Sequence, residues 1–228
     1  MTRTLTVAEM ALRELSRRRG VLILLALLPL AAYYSRRGEA YWQSVRFVSL
    51  GIGWTLSTAA LFAGNAARTV EQRLRLAGYA PHQLWLGRLL ALWTVGLVLV
   101  VPYFVLMKVD LDDVRDGGVA LILVLTVVVS APFGMAVSAV LPREMEGMLV
   151  LLTIVSTQML MNPDQAVAHA LPFWFSREIG VYAIEHDAGT DRIVNGCVHA
   201  GITLAACLAV IAVAAAVRLR RRGHLSFA

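Results

Sequence analysis

Apolar stretches recur along the whole chain, at residues 20–35, 45–67, 84–107, 118–141, 148–162 and 195–217, with charged segments between them. A bilayer core about 30 Å thick takes about 20 helical residues to cross, and only helices or closed barrels satisfy a backbone immersed in lipid. The expected fold class is therefore all-α, an integral membrane bundle of six crossings. Of the 228 residues only 16% are charged and 58% are hydrophobic, against about 25% charged in a soluble domain. A secretory leader would show one short apolar core and then a soluble chain, so no stretch here reads as removable. The first and fifth stretches are short and call for snorkelling flanks or a locally thinned bilayer.

The net charge of +6 would point to nucleic acid in a soluble protein. Here the basic residues gather at the ends of apolar stretches, where lipid headgroups lie, so no nucleic-acid partner is expected. Arg13, Arg17, Arg18 and Arg19 precede the first stretch, Arg68, Arg73 and Arg75 fall between the second and third with Arg88 at the entry to the third, and Arg218, Arg220, Arg221 and Arg222 follow the sixth. Acids dominate the alternate segments: Asp110, Asp112, Asp113, Asp116, Glu178, Glu185, Asp187 and Asp191. Since cytoplasmic loops retain Lys and Arg, this asymmetry places both termini in the cytoplasm, with Arg36 and Arg37 as the exception. Cys197 and Cys207 stand ten apart in one helix, about 15 Å, too far to bridge.

Three divisions follow. Residues 1–19 carry Leu5, Ala8, Leu12 and Leu15 on one helical face, away from Glu9, Arg13 and Arg17, as an amphipathic helix in the cytoplasmic interface would. Residues 20–217 hold the six crossings, and 218–228 form a basic cytoplasmic tail. Within the middle division, the long loop 163–194 is semi-apolar and bunches Phe173, Trp174 and Phe175 after Pro172. It reads as an aromatic belt or as a short helix pair dipping into the outer leaflet.

The segment "RTVEQRLRLAGYAPHQLWLGR", 68–88, interrupts the apolar pattern most sharply. Val70, Leu74 and Ala77 share one helical face, and Glu71 with Arg75 forms an i, i+4 pair on another. Gly78 can end such a helix and Pro81 can start the next. The expected result is a separate short cytoplasmic helix presenting its charges to the cytosol.

This organisation resembles the ATP-binding-cassette type 2 permeases: an N-terminal interfacial helix, six spans, a Glu-bearing charged helix before a proline, and a semi-apolar outer loop. Those proteins include bacterial exporters of drugs, antibiotic peptides and polysaccharides. The resemblance implies that Glu71 opens a coupling segment, that Pro81 precedes span three, and that Gly87 and Arg88 enter that span. Where the family commonly has a Gly after the Glu-Arg cluster, this chain has Arg73, Leu74 and Arg75. Glu71, Arg73, Arg75, Pro81 and Arg88 would thus couple the chain to a separate ATPase subunit, which would hold ATP and Mg. The chain itself lacks the GxxxxGK[ST] phosphate loop, so no bound cofactor and no enzymatic role are expected of it. Further implications are a location in the bacterial cytoplasmic membrane and a second permease subunit, identical or related.

Polar residues inside spans point to a pathway, because they usually face the bundle interior. In the second stretch these are Trp54, Thr55, Thr58 and Asn65; in the fifth, Thr153, Ser156, Thr157 and Gln158 form a polar band. Small and hydroxyl residues also serve ordinary helix packing in lipid. The competing classes are a lipid-metabolism enzyme using Asp110, Asp112 and Asp113 as a Mg²⁺ site, and a non-transporting immunity or scaffold protein. No metal site is assigned, and neither HExxH nor GxSxG occurs.

Overall fold

The computed structural model describes residues 3–17, 19–35, 41–111, 114–162 and 165–218. Arg18, Arg36, Arg37, Asp112, Asp113 and the tail from 219 lie outside them. Among the described residues there are helices and no strand. In chain order they are α1 (Arg3–Arg17), α2 (Arg19–Ser35), α3 (Tyr41–Leu76), α4 (Pro81–Asp110), α5 (Asp116–Val140) and α6 (Glu144–Leu160), then a 3-10 turn (Ala166–Ala170), α7 (Phe175–Ile184) and α8 (Asp191–Arg218). Four of them, α3, α4, α5 and α8, are long and apolar enough to cross a membrane. The short stretches are α2 and α6, 17 residues each and therefore about 25 Å long.

The centre of the molecule is the contact between α3 and α5, and small residues make it close. Ser57 and Gly64 of α3 face Ser130, Gly134 and Ser138 of α5; a Cβ on Gly134 would stand 2.0 Å from the Ser57 carbonyl oxygen. Such approach is the usual means by which helices associate in lipid, where no hydrophobic force draws them together. It also lets hydroxyls pair: Ser57 donates to the Ser130 carbonyl at 3.0 Å, and the Ser49 and Thr126 hydroxyls lie 2.6 Å apart. Pro132 inside α5 has no N–H to give to Val128, and the freed Val128 carbonyl accepts the Trp93 indole N–H from α4 at 3.2 Å.

α1 runs beside the first turns of α4. A Cβ on Gly87 would meet the Thr4 carbonyl oxygen at 2.8 Å, so only glycine admits this crossing. The apolar face expected of α1 is split: Ala8 and Leu15 turn inward with Val7, while Leu5 is half exposed. Phe173 and Phe175, between α6 and α8, are fully buried, and α7 packs between α5 and α8. The loop is therefore a folded part of the bundle.

Candidate functional site

The charged segment departs from its sequence expectation in two ways. First, no separate short helix forms. α3 continues unbroken through Glu71, Arg73 and Arg75 to Leu76, 36 residues in all. Between Thr69 and Leu76 there is no glycine or proline, and Glu, Gln, Arg and Leu all propagate a helix well. Termination waits for Gly78, whose φ of +86° suits a residue without a Cβ. The Tyr79 and Gly78 amides then donate to the carbonyls of Leu74 (3.1 Å) and Arg75 (3.0 Å), the Schellman pattern that satisfies a helix end. Pro81 opens α4 with its φ already set, and the Gln83 side chain accepts the Ala80 N–H at 3.0 Å. Arg3 of α1 donates to the Gly78 carbonyl and lies over the Tyr79 ring, closing the turn from outside.

Second, Glu71 does not face the cytosol. It is 2% exposed and lies inside the α3–α4 hairpin, where Arg88 donates to it at 2.5 Å. Arg218, the last residue of α8, pairs with its other oxygen. Helical phase explains the inversion, since Glu71 lies on the α3 face that meets α4, whereas Arg73, two positions on, is exposed. Arg75 is half-buried and donates to the Tyr79 carbonyl at 3.4 Å. A buried carboxylate needs partners on both oxygens to offset lost hydration, and this one takes them from two other helices. Arg68, one turn back, donates to the Ser138 carbonyl of α5. The sequence offered a signal for Arg88, which lies opposite Glu71 once Gly78 and Pro81 fix the turn. It offered none for Arg218, 147 residues away.

The candidate pathway residues divide. On α3, Trp54, Thr58 and Asn65 recur at helical spacing, and the Trp54 Nε1, the Thr58 hydroxyl and both Asn65 amide atoms are buried with no hydrogen-bond partner. Thr55 bonds back to the Gly51 and Ile52 carbonyls at 2.9 and 3.1 Å, as a packing threonine does. On α6 the expected band is not one face. Thr153 is exposed and bonded to the Leu149 carbonyl, Ser156 and Thr157 are half-buried, and Gln158 is buried beside α3. Consecutive residues turn about 100° apart on a helix, so 156–158 cannot share a direction. Gln158 ties the end of α6 to its neighbours instead: its Oε1 accepts the Phe173 N–H at 3.3 Å and its carbonyl accepts Arg46 at 2.6 Å.

Two acids of the tract, Asp110 and the exposed Asp116, are paired within the molecule. Asp110 accepts the Tyr33 hydroxyl, and Asp116 pairs with Lys108 at 2.6 Å. Among the described residues no three His, Cys, Asp or Glu converge as metal ligands.

The pattern of the ABC-2 family transporter protein matches residues 43–176, more than half the chain, from the start of α3 into α7. The chain belongs to the ABC-2 family. It is the membrane permease type of ABC-transporter component, a transport subunit and not a catalytic one. The matched region of this ABC-2 permease contains Glu71, Arg88, the hairpin turn and the Trp54–Asn65 row, whereas Arg218 lies beyond it. No curated protein matches the chain in sequence.

Proposed function

We propose that this permease is the membrane half of an exporter, dimeric with itself or a related permease and driven by two ATPase subunits that hold ATP and Mg. In this reading α2, α3, α4, α5, α6 and α8 cross the bacterial cytoplasmic membrane, both termini are cytoplasmic, and the 3-10 turn and α7 sit in the outer leaflet. The observation that carries it is the α3–α4 hairpin. At about 1.5 Å per residue the 36 residues of α3 reach roughly 54 Å, well beyond a core of about 30 Å even when tilted. The closed turn is therefore a projecting lever, and buried Glu71 and Arg88, with the exposed Arg218 on the second Glu71 oxygen, stiffen it.

The tip exposes Arg73 and Leu76, the latter 91% exposed, and these are the residues for an ATPase cleft to grip. Glu71 and Arg88 transmit movement from the tip into α4 and α8; Arg75 and Pro81 hold the turn. Because α3 also carries the unpartnered Trp54, Thr58 and Asn65, displacing the lever displaces the row that lines the substrate path, with Ser156 and Thr157 nearby. ATP drives the cycle only if the ATPases bind it more tightly in one arrangement than in the other. The substrate class is an amphiphile: a drug, antimicrobial peptide, lipid or glycan.

The test is co-purification with an ATPase carrying the GxxxxGK[ST] loop. Leu76→Glu and Arg73→Glu are expected to release the ATPase while the permease remains inserted and folded. Undiminished binding in both variants would remove the hairpin tip from the coupling surface.

A further inference from the structure

A cavity of about 280 Å³ lies between α1 and α3, with α4 as its floor. It is near the lower end of small-molecule sites, which begin at roughly 300 Å³. It exists because α3 presents Ala59, Ala63 and Ala67 towards α1, leaving a gap that larger side chains would close. Along α3 its lining runs from Ala59 to Leu74. The sixteen residues from Ala59 to Leu74 span about 22 Å, so the cavity is a long slot that starts inside the second apolar stretch, residues 45–67, and ends at the base of the hairpin, long enough for the roughly 15 Å of chain in one leaflet.

The walls decide what fills it. Met10 and Leu15 of α1, Phe62 of α3 and Leu92 of α4 are apolar. Of the charged lining residues, Glu14 is exposed, and Glu71 and Arg88 are bonded to each other, with Arg218 on the second Glu71 oxygen. Water in a cavity needs two to four polar partners, and this slot offers almost none that are not already engaged. An alkyl chain needs only apolar contact and a long narrow space.

We propose that the slot between α1 and α3 holds one acyl chain of a membrane lipid. That the lipid comes from the cytoplasmic leaflet rests on the topology proposed above; occupancy of the slot does not, and neither requires transport. The chain wedges α1 apart from α3 beside the Glu71 ion pairs, so the lipid is a structural part of the hairpin's base.

The full-length permease in nanodiscs containing a phospholipid with a mid-chain diazirine provides the test, read by peptide mass spectrometry after illumination. Labelling is expected at Met10 and Phe62, as well as on the exposed α4 face at Val98 and Val101. Ala63→Phe should lower the Met10 and Phe62 labelling at least fivefold and leave Val98 and Val101 unchanged. If Ala63→Phe fails to insert, Ala67→Leu is the second variant. Wild-type labelling confined to the α4 face would overturn the proposal. So would undiminished Met10 and Phe62 labelling in a folded filling variant. Loss of the wild-type slot label on adding the ATPase would assign the slot to a protein segment instead.

Discussion

Among the described residues two carboxylates are buried, and each is clamped by two arginines. Glu71 holds Arg88 and Arg218; Glu178 of α7 holds Arg177 at 2.8 Å and Arg192 at 3.4 Å. α8 supplies one arginine to each, from its first turn and from its last residue, about 39 Å apart. The clusters differ in dryness and in reach. Around Glu71, 3% exposed, Arg88 is 10% exposed and Arg218 33%; around Glu178, 7% exposed, Arg177 is 21% and Arg192 38% exposed, so only the Glu71 cluster has an arginine that is itself buried. One partner of Glu178 is its own neighbour in sequence; both partners of Glu71 come from other helices. The Glu71 cluster therefore fixes a tertiary arrangement, while the Glu178 cluster mainly anchors α7 to the start of α8.

This contrast can be broken by experiment. Glu71→Gln leaves two arginines without their carboxylate, one of them deeply buried, and should cost about 3–5 kcal/mol of stability against denaturant. Glu178→Gln should cost roughly 1–2 kcal/mol, because water already reaches its partners. Equal losses in parallel unfolding curves would mean that dryness does not rank the two clusters. Gly87→Ala, which drives a methyl into the Thr4 carbonyl, should cost about 1–3 kcal/mol and detach α1, read as faster proteolysis of residues 3–17.

Replacing Glu71 and Arg88 together by Met sharpens the comparison. Stability should return to within about 1–2 kcal/mol of wild type, since the pair's attraction largely offsets its desolvation. If, on the proposed function, coupling to an ATPase returns as well, packing and not charge transmits the motion. The smallest stability effect is expected for Arg73→Glu, within about 0.5 kcal/mol, because Arg73 is exposed at the tip. On the proposed function that variant should nonetheless lose most permease-dependent ATPase stimulation, a separation that the buried cluster cannot produce.

Much of this architecture was legible in the chain itself. Apolar stretch lengths located the helices, and even the short α2 and α6 were marked as such, because crossing hydrocarbon requires a minimum run of apolar residues. Gly78 and Pro81 placed the hairpin turn through backbone chemistry that needs no neighbour. The charged run was misread as a separate helix, because its polarity suggested a boundary where nothing breaks the backbone. Gln158 was likewise grouped with Ser156 and Thr157 by proximity in sequence, although helical phase sends it towards α3 and Phe173.

Sequence by itself determined which segments are helical, where the chain turns, and that the matched region belongs to ABC-2 permeases, since these depend on local propensity and on ordered patterns of residue type. The inward direction of Glu71, its capture of Arg218 and the slot beneath α1 were decided only by tertiary structure. Each depends on which helix faces meet across a bundle, and that is settled by close approach at Gly87 and Gly134 between residues far apart in the chain.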